Sequence, residues 1–169
     1  GFDPREVPQP RLAPHRFHDD FARVFCVGLV VHRQFHCRTR EALERGEISP
    51  QALFDHRYHP IPGSNPQQVM APFTEFTDRV LPQVQEAALE FSPKVVFCAA
   101  VDLNAYLPTH NRKFSQPQGS DPVWNAANSR NRRIFDDRVG LKAARSTEPF
   151  LLQVYRRDMG GGNFVMMKD

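Results

Sequence analysis

The side chains best suited to chemistry fall in three stretches. "YLPTHN" (106–111) carries Tyr106, His110 and Asn111 at a strand end. Alternation along a strand puts Tyr106, Pro108 and His110 on one side. "WNAANSRNRRIF" (124–135) carries Trp124, Asn128, Asn131 and Phe135 at steps of four, three and four, which on a helix is a single face. Amides between two aromatics suit a ligand with a flat apolar part and hydrogen-bonding groups. Arg130 and Arg133 form the neighbouring face. "VYRRD" (154–158) presents Tyr155 and Arg157 to one face of a strand. A guanidinium there could pair a ligand carboxylate, because its planar fork matches that group. These nine residues predict a small-molecule site: Tyr106, His110, Asn111, Trp124, Asn128, Asn131, Phe135, Tyr155 and Arg157. Each also has a plainer reading. His110 and Asn111 fit a solvated strand end, and Trp124 and Phe135 fit core anchors. Arg157 fits an exposed pair with Asp158, worth about 0–1 kcal/mol.

No catalytic constellation accompanies them. GxSxG, HExxH and a phosphate-cradling Gly loop are all missing, so no enzyme is expected. "MGGGN" reads as a turn. His15, His18, His32, His36, His56 and His59 crowd the first third of the chain. His32 and His36 could share a metal on a helix, with Cys37 nearby, but no third ligand sits at a fixed spacing, so no metal is expected. Haem attached through CxxCH is excluded by the sequence, which leaves only non-covalent haem with His110 as axial ligand open.

Three widely spaced Cys without a CxxC argue against a disulfide framework and for a reducing, cytoplasmic setting. The longest early apolar run, "VFCVGLVV" (24–31), is far short of the roughly 20 residues a membrane helix needs. The first residue is Gly in place of Met, which points to a fragment whose missing regions could tether it to a membrane. Net charge is only +3, too little to imply nucleic acid, although nearly all the positive charge is Arg.

The elements that must position these residues follow from pattern. Residues 1–15 hold four Pro and predict an irregular arm. Residues 17–46 carry helical spacing at Phe17, Phe21, Val24, Phe25 and Leu29 but a β-branched "VGLVV" that favours a strand. From Arg38 a helix end is expected, stopping near Gly46, and Ser49-Pro50 restarts a helix. Residues 55–68 hold three Pro and predict a loop. Val69, Phe73, Phe76, Val80, Val84, Ala88 and Phe91 form an apolar stripe that predicts a long helix, kinked at Pro82 and ended by Ser92-Pro93. "KVVFCAAV" (94–101) reads as a strand covered on both faces, "DLNA" as a turn and "YLPTH" as a second strand. Another helix should start at Asp121-Pro122 and run to about Gly140. Phe150–Arg156 and Asn163–Met167 read as a hairpin across the triple Gly. A long helix on an antiparallel sheet, with a helical insert midway, is an α+β pattern.

"AVDLNAYLPTHNRKFSQPQ", "DPVWNAANSRNRRIFDD" and "PFLLQVYRRDMGGGNFVMMKD" together resemble a sensory domain of bacterial methyl-accepting chemotaxis proteins that lies beyond the signalling segment. "RGEISPQALFDHRYHPIPGSNPQQ" resembles the linker before it. The resemblance spans about residues 40–169. It implies a PAS/Cache-like sheet with a long N-terminal helix and a helical insert, binding a small molecule and passing a signal to the chemotaxis kinase complex. Dimerisation is expected in the full receptor. The boundary implied is an atypical arm over 1–37 and an incomplete sensory domain over 38–169. The alternative is a structural or dimerisation module with no small ligand. Three departures stand out. The family's Asn-Gly turn is Asn104-Ala105 here, and Ser129 stands where a Cys is expected. A further strand with a His-Trp-Gly segment should follow Asp169. A gene product damaged at both ends would explain the last departure and the atypical arm, and would expose edges on Phe150–Tyr155 or Phe164–Met167.

Overall fold

The computed structural model describes residues 23–25, 28–148, 151–159 and 161–168, with only the backbone described over 23–33. The expected arm over 1–15, His15, His18 and Phe150 lie outside the described residues. The chain is α+β, and its described residues form helices and four two-stranded antiparallel sheets.

The ambiguous stretch before residue 46 holds a strand and a helix, but the other way round from the two readings. Val24 and Phe25 of the helical spacing lie in a strand, and residues 28–31 of "VGLVV" open a helix, while Phe17 and Phe21 lie outside the described residues. Strand β1 (Arg23–Phe25) pairs antiparallel with β4 (Ala99–Val101), and helix α1 (Gly28–Glu44) follows. The boundary drawn between 37 and 38 thus falls inside α1. Gly46 ends that helix at a φ of 71°, with the Glu47 N–H reaching the Ala42 carbonyl at 2.9 Å. Only Gly adopts this left-handed angle without strain. Ser49 then caps α2 (Pro50–Leu53), its hydroxyl accepting from the Ala52 N–H at 3.1 Å.

β2 (His59–Pro60) and β3 (Val69–Met70) form a short ladder around the Pro-rich loop. The long helix, α3 (Thr74–Leu89), therefore starts later than its apolar stripe suggests. Pro72 disfavours a helical Ala71, and the Val69 N–H is taken by the Arg132 carbonyl at 2.7 Å. The helix runs through Pro82 to Leu89. Phe73, Phe76, Val84 and Ala88 are buried as expected, but Leu81 is buried in place of Val80, and Phe91 is 58% exposed beyond the helix end.

β4 and β5 (Tyr106–Leu107) are joined by the turn Asp102–Ala105, closed by the Asp102 N–H on the Tyr106 carbonyl at 3.0 Å. Ala105 meets the turn's demand with a φ of 59°, the angle that Gly would supply freely. The strand β4 separates two apolar clusters. Ala100 faces Phe35, Leu53, Phe73, Phe76, Leu81 and Tyr106 on the α1–α3 side. Ala99 and Val101 face Phe97, Ala105, Leu107, Ala144 and Met167 on the other side. Full burial of side chains such as Phe73 and Phe76 contributes about 1.5–3 kcal/mol each.

The predicted helix from Pro122 to about Gly140 is two helices. α4 (Pro122–Asn128) stops because residues 128–130 pair with 114–116. The Arg130 N–H donates to the Phe114 carbonyl at 2.7 Å, and the Gln116 N–H to that of Asn128 at 3.1 Å. These non-local bonds override helical periodicity. β6 (Arg133–Ile134) then pairs with β5, and Asp137 caps α5 (Arg138–Ala144) by accepting from the Val139 and Gly140 N–H groups. The closing hairpin is β7 (Val154–Asp158) on β8 (Phe164–Lys168), turning through Gly161 and Gly162 at positive φ. Its exposed apolar side chains are Val154, Phe164, Val165 and Met166.

Candidate functional site

A cavity of about 700 Å³ lies on the side of β4 away from α3. Its floor is small and apolar: Ala99, Val101, Ala105 and Leu107, side chains that alternate onto one face of the β4–β5 hairpin. Three Ala or Val positions here are why space remains. One wall is the insert, with Ala126, Arg130, Arg133 and Phe135, and the start of α5. The other is the hairpin strand β7 from Val154 to Asp158.

Of the nine residues expected at a site, His110, Phe135, Tyr155 and Arg157 line this cavity. Tyr106 does not. It is fully buried on the α3 side, where its hydroxyl bonds Thr74 Oγ1 at 2.8 Å and donates to the Val69 carbonyl at 3.0 Å. The shared side expected for Tyr106, Pro108 and His110 fails because the pleat is interrupted. The β5–β6 ladder stops at the Leu107–Arg133 pair, and the Arg132 N–H, from a residue at a φ of 61°, is shared by the carbonyls of Leu107 (2.6 Å) and Pro108 (3.2 Å). Past the end of the strand Thr109 bonds Asp78 of α3, and His110 turns to the cavity.

Asn111 is also a structural residue. Its Oδ1 accepts from the Cys98 N–H at 2.7 Å, and its Nδ2 donates to the Gln85 carbonyl at 2.9 Å, tying α3 to the approach of β4. The single face proposed for Trp124, Asn128, Asn131 and Phe135 does not exist, since α4 ends at Asn128. Trp124 is 43% exposed. Asn128 donates to the Trp124 carbonyl, and Asn131 accepts from Gln68. None of these three lines the cavity.

Phe97, Phe114, Arg130 and Arg133 join the site without standing among the nine expected residues. Period-two alternation back from Val101 and Ala99 reaches Phe97, so the sequence does carry a signal for it. The His110 ring packs edge-on to Phe97 (5.4 Å between centroids) and tilted on Phe114 (4.9 Å). The Arg157 guanidinium, buried, lies 4.2 Å from the centre of the Phe114 ring and 5.4 Å from that of Phe97. Arg130 and Arg133 each lie 4.9 Å from the centre of Phe135. Guanidinium stacking on rings of this kind is favourable and holds the planar fork in place.

The electrostatics follow from this crowding. Burial, then repulsion from Arg157 and Arg133, brings the Arg130 guanidinium down to about 9. Burial lowers Arg133 as well. His110 is held well below the ordinary histidine value, first by burial and then by Arg130, Arg157 and Lys113. Its ring is therefore neutral near pH 7. Its Nδ1 accepts from the Asn111 N–H at 2.8 Å, so Nε2 carries the proton and is a donor.

Apart from the cavity, Asp102, His56, Tyr58 and Asn104 form a polar cluster at the β4–β5 turn. Among the described residues no group of three or more His, Cys, Asp or Glu could hold a metal, and no helix is long and apolar enough to cross a membrane. No family model, curated protein or solved structure matches the chain.

Proposed function

We propose that this chain is a signal-input domain of a chemotaxis receptor, PAS/Cache-like in design, working in the cytoplasm. A small molecule sits between the β4–β5 hairpin and the insert and passes a conformational signal to the signalling segment. The observation that carries the reading is the cavity itself. Its walls draw His110, Phe135, Tyr155 and Arg157 from three separate segments around an apolar floor. Concave, mainly apolar sites of roughly 300–1,000 Å³ with a few polar groups are the usual form of a ligand pocket. A ligand that touches both the insert and β7 favours whichever arrangement keeps them together, which is the requirement for shifting a population between two states.

A thermal-shift screen of small polar and anionic metabolites tests this, run on the wild type and on Ala99→Leu, which fills the floor. Stabilisation of the wild type that the variant lacks is expected. No stabilisation by any compound, or an equal response of both proteins, would remove the assignment.

The exposed Val154, Phe164, Val165 and Met166 favour a second reading, a self-associating module without a small ligand. It predicts dimers in light scattering that are indifferent to metabolites.

A further inference from the structure

We infer that the ligand is a small organic acid with a flat apolar body, its carboxylate held by Arg130 and Arg133 beside Phe135. This inference rests on the cavity being a ligand site and names what that site takes. Both guanidiniums are already positioned by the protein. Each lies against the Phe135 ring, and the Nη1 of each points at the Ala126 carbonyl, at 3.1 Å for Arg130 and 3.4 Å for Arg133. Arg130 also donates to the Asp158 carbonyl at 3.3 Å. These hydrogen-bonded anchors are neutral carbonyls. The Asp158 carboxylate, on the same cavity wall, attracts both guanidiniums from farther off. Among the described residues neither Arg130 nor Arg133 has a carboxylate within ion-pair distance, whereas Arg45, Arg57 and Arg132 each have at least one.

Two like charges against one ring, on the wall of a partly enclosed cavity, repel each other in a medium that screens poorly. An anion between them removes that repulsion and takes up the unused edges of two preformed forks. The neutral His110 adds an N–H donor to the same cavity, and a donor also favours an oxygen acceptor. The floor sets the rest of the ligand. Ala99, Val101, Ala105 and Leu107 offer nothing to a compact inorganic anion, but they suit a planar hydrocarbon body. A phosphate alone would leave that floor wet.

Isothermal titration of the full chain with 2-naphthoate, 2-naphthamide and inorganic phosphate tests the assignment. The acid should bind, and the isosteric amide should bind about ten-fold or more weaker, since charge-assisted hydrogen bonds are roughly twice as strong as neutral ones. Phosphate should give no heat. Arg133→Met and Arg130→Met should each weaken the acid by about ten-fold and leave the amide unchanged, with Arg133→Lys between. The comparison of acid with amide on the wild type does not depend on any variant folding. Equal binding of acid and amide overturns the carboxylate assignment but leaves the cavity as a ligand site. Phosphate binding as tightly as the acid overturns the apolar body. No binding of the acid overturns the whole inference, and the metabolite screen then decides separately whether the site stands.

Discussion

The Asp102 carboxylate meets the His56 ring nitrogen Nδ1 at 3.0 Å, across 46 positions of sequence. The same oxygen accepts from the Tyr58 hydroxyl, which in turn accepts from Asn104 Nδ2 at 3.0 Å. The other carboxylate oxygen accepts from the Asn104 and Tyr106 N–H groups, at 2.9 Å each. One buried side chain thus holds its own turn and fastens the Pro-rich loop to it. Asp102→Ala strands two backbone donors and the Tyr58 hydroxyl. It should cost about 3–5 kcal/mol, read from the urea midpoint. Asp102→Asn keeps a carbonyl oxygen for the turn and should cost less. An alanine variant as stable as the wild type would refute this role.

His110 should make the protein acid-sensitive. Its proton affinity is depressed in the folded state by burial and by Arg130, Arg157 and Lys113, so the unfolded chain binds the proton more readily. Its contribution to stability is complete above the ordinary histidine value of about 6.5 and is lost as pH falls, by at most about 1.4 kcal/mol per pH unit. Urea midpoints measured at about pH 7.5 and about pH 5.5 should differ less for His110→Gln than for the wild type. Equal differences would show that another group carries the acid limb.

Gly140 is required by contact, not by backbone angle. A Cβ there would fall on the Phe135 carbonyl oxygen and lie 3.1 Å from its carbon. Both are backbone and cannot swing aside. Gly140→Ala, ordinarily favourable in a helix, should instead destabilise by about 1–3 kcal/mol and displace Phe135 from the cavity wall. Circular dichroism melting, followed by acid binding on the folded variant, reads both effects.

Asn111 and Trp124 should behave in opposite ways. Asn111→Ala removes the two buried hydrogen bonds that tie the Cys98 N–H and the Gln85 carbonyl together through one side chain and should cost about 2–4 kcal/mol. Trp124→Ala removes an exposed side chain and should stay within about 0.5 kcal/mol of the wild type, with ligand response intact. Loss of ligand response in Trp124→Ala would return that residue to the site.

Local signals were legible where one interaction dominates. The Ser49 cap, the Gly46 stop, the doubly covered β4 and the Gly-rich hairpin turn all follow from residue chemistry within a few positions. The insert was not legible, because its helix is ended by pairing with residues 114–116, which no local period reports. The site was half legible for the same reason. Tyr155 and Arg157 reach the cavity from within β7 and His110 from just past β5, while the helix face that spacing gives Asn128 and Asn131 is one the fold does not make. Asn111 carries no sequence mark that separates a staple from a ligand contact.

The end of β5 at Leu107 decides which chemistry the cavity has. Had the alternation run on, His110 would enter the packing against α3 and Thr109 would turn towards the cavity. The imidazole of this pocket is therefore set by where a two-residue strand stops as much as by the identity of any one residue.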